Sequence, residues 1–109
     1  MRIEKDKIGE LEIEDKVLYG INTKRAVNNF TLGNGHVRME LIYAIVMVKK
    51  AAAMAHGSLL LMDKKKADAI VSACDKILAG GYEGSFVTDA LQGGAGTSTN
   101  MNVNEVVAN

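Results

Sequence analysis

The sequence has little cysteine, no excess of charge of either sign and no long hydrophobic run. Because Cys74 is the single cysteine among 109 residues, an intrachain disulfide cannot form. The opening residues MRIEKDK contain acidic side chains and no apolar stretch, so we expect no secretory signal there. These features together predict a protein of the reducing cytoplasm.

The charge balance and the short apolar runs narrow the possible partners. Thirteen basic residues offset 13 acidic ones, so the summed field offers no general attraction for nucleic acid or an anionic membrane. The longest apolar run, residues 41–48, is far shorter than the roughly 20 residues of a membrane span. We therefore expect a small molecule or a protein partner, no nucleic acid, no membrane, no metal and no cofactor.

The N-terminal part of the sequence alternates between apolar and acidic residues. This alternation from Gly9 to Glu14 predicts a half-buried strand, Ile3 marks a short preceding strand, and residues 17–19 suggest another extended piece. Asn22 and Thr23 could then cap a short helix running towards Phe30, before a break at residues 33–35. We expect a mainly α fold with a small N-terminal β hairpin.

Three further helices are indicated. Residues 37–55 contain no glycine or proline and carry apolar side chains around almost the whole circumference, more than one small domain can bury, so we expect association. Asp63 should cap an amphipathic helix that stops at Gly80 and Gly81. The last helix should start within residues 97–102 and is unfinished at Asn109, which suggests a chain cut short.

The segment from Gln92 to Asn104 combines glycines with polar residues at a helix start. Its three glycines allow close backbone approach, and Thr97, Ser98 and Thr99 add donors where free amides and the helix dipole favour an anion such as a carboxylate. Neither the P-loop nor the dinucleotide spacing fits, which disfavours phosphate. On the spacing alone, a glycine loop with helix caps and no ligand is the favoured interpretation.

Other reactive side chains have structural interpretations. His36 lies in a glycine-rich turn and His56 at a helix end, so we expect neither to be an acid or a base. Cys74 falls on the apolar stripe of its helix and should belong to the core. Arg25 and Lys50 are expected to form ion pairs.

Residues throughout the chain resemble the aspartase/fumarase superfamily. The segment TSTNMNVN, residues 97–104, is similar to the GTSxNMNxNE element of aspartases, and VKKAAA at 48–53 to a helix of that family. Glycine-rich residues 92–98 resemble the aspartase version of this element more than the QTGSGTQ of fumarases. Further upstream agreements are Arg2, Glu4, Asp6, Gly9, Glu10, Tyr19, Gly20, Thr23, Arg25, Ala26, Asn29 and Phe30.

Some positions depart from the aspartase pattern. Asn22 stands in place of a usual Gln, Ile13 and Glu14 in place of Val-Pro, and His56 in place of Asn. These departures bear on the subtype rather than on the family.

The resemblance implies reversible anti elimination of ammonia from L-aspartate, giving fumarate through an enediolate. It implies that Thr97, Ser98, Thr99 and Asn100 bind the dicarboxylate substrate, and that no catalytic residue lies in this portion, because the family's Ser base and its Thr-His pair would follow Asn109. Residues 1–109 would then be a single N-terminal domain, truncated before the central helical domain of a homotetramer. The alternatives are fumarate hydratase, or a non-catalytic folded fragment or assembly module.

Overall fold

The computed structural model describes residues 1–31, 33, 35–92 and 96–109. The elements, in chain order, are β1 (Arg2–Lys5), β2 (Glu10–Ile13), α1 (Ile21–Asn29), α2 (Met39–Ser58), α3 (Lys64–Leu78), a short 3₁₀ turn (Glu83–Ser85) and α4 (Thr97–Ala108). The predicted mainly helical fold with an N-terminal hairpin is confirmed. Asn34 of the predicted break and residues 93–95 of the predicted glycine loop lie outside the described residues.

The hairpin follows the alternating pattern. β1 and β2 pair antiparallel with Arg2 opposite Ile13, and Ile13 points inward with 2% of its surface exposed. Residues 17–19, predicted to be an extended piece beside the hairpin, do not form a strand. The Arg2 guanidinium instead donates to the backbone carbonyls of Val17 and Tyr19 at 3.0 and 2.8 Å. These carbonyls thus accept hydrogen bonds from a side chain rather than from the backbone of a neighbouring strand.

Helix α1 begins differently from the prediction. Its N-cap is Gly20 rather than Asn22 or Thr23, and Gly20 has no side chain to bond the first helical amides. The Glu4 carboxylate accepts from the amide of residue 21 at 3.0 Å. The Glu105 carboxylate accepts from the amides of residues 22 and 23 at 3.0 and 2.8 Å. Carboxylates from β1 and α4 therefore cap α1, and they also complement its dipole.

Gly20 leaves room for these two carboxylates. A Cβ at this position would lie 2.5 Å from a Glu105 oxygen and 2.6 Å from a Glu4 oxygen. A side chain here would therefore displace these carboxylates from the amides of α1 that they cap.

The core lies where α2, α3 and α4 meet. Helix α2 packs mainly along α3, and Cys74 is fully buried there, as predicted. Asp63 caps α3 as predicted, because its carboxylate accepts from the Lys65 amide at 2.9 Å. The buried core residues are Ile42, Val46, Cys74, Ile77, Phe86, Val103 and Val106.

Helix α2 continues past the stop predicted at His56 and Gly57 and ends at Ser58. A Cβ on Gly57 would lie 3.0 Å from the Ala67 Cβ, so this glycine permits close approach of α2 and α3 instead of ending the helix.

The prediction that α2 has more apolar surface than one small domain can bury is confirmed. Among its large apolar side chains, Leu41, Met47, Val48 and Met54 are each more than half exposed. No helix in the described part of the chain is long and apolar enough to cross a membrane.

The two expected ion pairs are present. Arg25 donates to both carboxylate oxygens of Asp6, at 2.8 and 3.0 Å, and Lys50 pairs with Asp75 at 2.7 Å. The Arg25 hydrogen bond, helped by the amides of Ile8 and Gly9, lowers the pKa of Asp6 from 3.8 to about 2.

Replacement of Glu105 tests the capping of α1. Glu105→Ala leaves the amides of residues 22 and 23 and the Thr23 hydroxyl without their acceptor, so we expect a loss of roughly 3 kcal/mol in the free energy of unfolding. Urea denaturation measures the loss. Glu12→Ala, on the exposed side of β2, is the control and should change stability by less than about 0.5 kcal/mol. Equal effects of the two variants would contradict the capping role.

The ion pair of Asp6 should produce a pH dependence in the acid range. A carboxyl whose pKa is lowered on folding stabilises the protein above its unfolded pKa, and this contribution is lost as pH falls through about 2. Between about pH 4 and 2, the wild type should therefore lose stability more steeply than Asp6→Asn or Arg25→Met. Thermal unfolding across that range measures the slopes. Parallel curves for wild type and Asp6→Asn would show the idea to be wrong.

Candidate functional site

Helix α4 starts at an unusual cap. Gly96 is its N-cap with φ of +82°, a left-handed conformation that glycine adopts readily. Because Gly96 has no side chain, the cap comes from Gln92, whose Oε1 accepts from both the amide and the hydroxyl of Thr99 at 3.1 Å. The first turn of α4 is thus closed by an amide side chain from the preceding segment.

The four residues predicted to bind substrate point in different directions. Thr97 and Asn100 are both exposed and lie three positions apart, on the same side of α4. Ser98 is half-buried, and Thr99 is only 4% exposed. The Thr99 hydroxyl faces Gln92 rather than solvent. The structure therefore places Thr97, Ser98 and Asn100 at the open end of the helix, whereas Thr99 bonds the residue that caps it.

Lys49 was not predicted and lies beside these residues. Its Nζ donates to the Asn100 Oδ1 at 2.7 Å, which places a positive charge from α2 next to the start of α4. That charge adds to the positive end of the helix dipole. The sequence offers no local signal for this contact, because the two residues are 51 positions apart.

The rest of the motif is structural. The Asn102 side chain is fully buried, where its Oδ1 accepts from the Val87 amide at 3.1 Å and its Nδ2 donates to the Ser85 carbonyl at 3.0 Å. Glu105 caps α1. One face of α4 therefore holds neighbouring segments, while the first turn presents polar groups to solvent.

This arrangement can hold an anion. The hydroxyls of Thr97 and Ser98, the dipole of α4 and the Lys49 charge all favour negative charge at one exposed place.

Burial raises the pKa of the Cys74 thiol, which keeps that core group neutral. Within the described ranges, no group of three or more His, Cys, Asp or Glu side chains could hold a metal ion.

A family model described as Lyase matches residues 9–109. The chain belongs to this lyase family. The lyase chain is 50% identical over 111 residues to an aspartate ammonia-lyase of Helicobacter pylori, a match that covers 100% of the chain and 24% of the relative. It is 49% identical over 108 residues to a class II fumarate hydratase of Wigglesworthia glossinidia brevipalpis, covering 99% of the chain and 23% of the relative.

Solved structures agree with this membership. A fumarate lyase:delta crystallin from Brucella melitensis superposes with a TM-score of 0.96 at 48% identity, covering 100% of the chain and 25% of that protein. A class II fumarase from Schistosoma mansoni gives a TM-score of 0.93 at 33% identity, covering 97% and 22%. The predicted place in the aspartase/fumarase superfamily is confirmed, and the chain spans about a quarter of the length of these relatives.

Proposed function

We propose that the lyase chain is the N-terminal domain of an aspartate ammonia-lyase and that the start of α4 binds a carboxylate of L-aspartate. The observation that carries this proposal is the exposed first turn of α4, where Thr97 and Asn100 share one side and Lys49 adds a positive charge. We assign Thr97, Ser98 and Asn100 as direct contacts. Thr99, also predicted to contact substrate, supports them through Gln92.

The proposed chemistry explains why fixed donors are useful here. Removal of the proton next to the carboxylate during elimination of ammonia makes an enediolate, so negative charge on that carboxylate grows towards the transition state. Donors that already point to this position stabilise the transition state more than the substrate, because they need not reorient. Thr97 is the main proposed donor because it lies at the first position of the helix and faces solvent.

The complete enzyme must supply groups that we do not assign to residues 1–109. We propose that the proton-abstracting base and further substrate contacts follow Asn109 in a central helical domain, and that the enzyme is a cytoplasmic homotetramer. The exposed apolar residues of α2 are suited to packing against those parts, because apolar patches of this kind are rarely left open on soluble proteins.

Fumarate hydratase is the second candidate function. The fumarate hydratase relative is 49% identical and the aspartate ammonia-lyase relative 50% identical, a difference too small to decide. We favour ammonia-lyase because residues 92–98 read QGGAGTS, the form that resembles aspartases. A third possibility is a folded module without turnover.

Activity assays separate these three functions. The complete enzyme should release fumarate from L-aspartate, measured by ultraviolet absorbance, much faster than from L-malate. Residues 1–109 alone should show no turnover, since loss of a general base alone typically costs ~10²- to 10⁴-fold. Faster release from malate would favour fumarate hydratase. No release from either substrate would favour the non-catalytic module.

Thr97→Val in the complete enzyme tests the main contact. Valine keeps the shape and removes the donor, and a hydrogen bond to a charged group is worth ~1.5–3 kcal/mol, so kcat/KM for aspartate should fall roughly 10- to 150-fold. Stability should change little, because Gly96 rather than Thr97 is the N-cap. Thr97→Ser keeps the hydroxyl and is the control. A fall in kcat/KM of less than about threefold for Thr97→Val would remove Thr97 from the site.

A further inference from the structure

The Gln92 side chain connects two parts of the chain through its amide. Its Nε2 donates to the Asp89 carbonyl at 2.7 Å, and its Oε1 accepts two hydrogen bonds from Thr99. Since an amide oxygen has two lone pairs, both are occupied by Thr99. These three bonds define the orientation of the amide and fix the first turn of α4.

Asp89, the residue that anchors Gln92, is itself held on both carboxylate oxygens. One oxygen accepts from the Gly33 amide at 2.8 Å and the other from the Leu91 amide at 2.9 Å, and Asp89 is only 8% exposed. A Cβ on Gly33 would collide with this carboxylate. The contacts therefore run continuously from Gly33 through Asp89 and Gln92 to Thr99.

The kind of cap at α4 differs from that at two other helices of the described chain. Carboxylates bond the first amides of α1 (Glu4 and Glu105) and α3 (Asp63), and each brings negative charge to a positive helix end. At α4 the amide of the third helical residue, Thr99, is bonded by the neutral amide of Gln92. The end of α4 thus keeps its positive potential, and Lys49 adds to it.

We propose that Gln92 is a positioning residue that caps α4 without charge, so that the helix end stays attractive to a substrate carboxylate while Thr99 is turned away from it. This inference rests on the proposed function, because it assigns a role at the same carboxylate site. A carboxylate at position 92 could still accept from Thr99, but it would lose the donor to the Asp89 carbonyl and would repel a dicarboxylate. The identity of the cap, rather than its presence, then controls substrate binding.

Gln92→Glu in the complete enzyme separates capping from charge. The variant keeps an acceptor for Thr99 but loses the donor to the Asp89 carbonyl, whereas Gln92→Leu loses both, so both variants should melt below the wild type. The KM of Gln92→Glu for aspartate should rise roughly 5- to 30-fold, the range expected for a unit charge at a partly buried helix end, with a smaller change in kcat. Because added salt screens exposed charges, the ratio of the KM of Gln92→Glu to the wild-type KM should shrink at high ionic strength.

Asp63→Ala is the matched control for loss of a cap. It removes an acceptor from the first turn of α3, away from the site, and should lower the melting temperature while leaving kcat and KM unchanged. An unchanged KM for Gln92→Glu would overturn the inference while leaving the lyase function intact. A wild-type enzyme inactive on both aspartate and malate would instead overturn the proposed function, and this inference with it.

Discussion

Two carboxylates from distant parts of the chain converge on the first turn of α1, and the position of α4 depends on them. Glu4 comes from the hairpin and Glu105 from α4, and both bond amides that Gly20 leaves uncapped. The Glu105 carboxylate also accepts from the Thr23 hydroxyl at 2.6 Å, inside a region where Thr23 is fully buried. Because α4 carries the candidate site, the hairpin, α1 and the site are parts of one hydrogen-bonded arrangement.

The polar residues of α4 have different roles on different faces of the helix. Asn102 and Glu105 bind backbone groups of other segments, so they fix where the helix lies. Val103 and Val106 fill the core. Thr97 and Asn100 are exposed to solvent. A motif of consecutive polar residues can therefore be largely structural, and resemblance over its whole length does not make every member a ligand.

Local patterns predicted what depends on local physics. The alternating residues of β2, the Asp63 cap and the core position of Cys74 each follow from residues a few positions apart. Local patterns could not predict contacts between residues far apart in the sequence. One carboxylate that caps α1 comes from a residue 83 positions from Asn22. Gly57 misled the prediction for a related reason, since its role is a contact with α3 that helix-ending rules do not include.

In the candidate site, too, local patterns predicted some features, whereas others depend on contacts that only the fold determines. Glycine and hydroxyl residues at a helix start indicated a place suited to an anion, and the family resemblance named Thr97, Ser98, Thr99 and Asn100 as its contacts. Sequence could not distinguish Thr99 from Thr97, because both are threonines in the first turn and only the fold determines which meets Gln92. Helical geometry turns successive side chains by about 100°, so Thr97 and Thr99, two positions apart, point to opposite sides of the helix. Burial of Thr99 against Gln92 is therefore what leaves Thr97 and Asn100 together on the open side, next to Lys49.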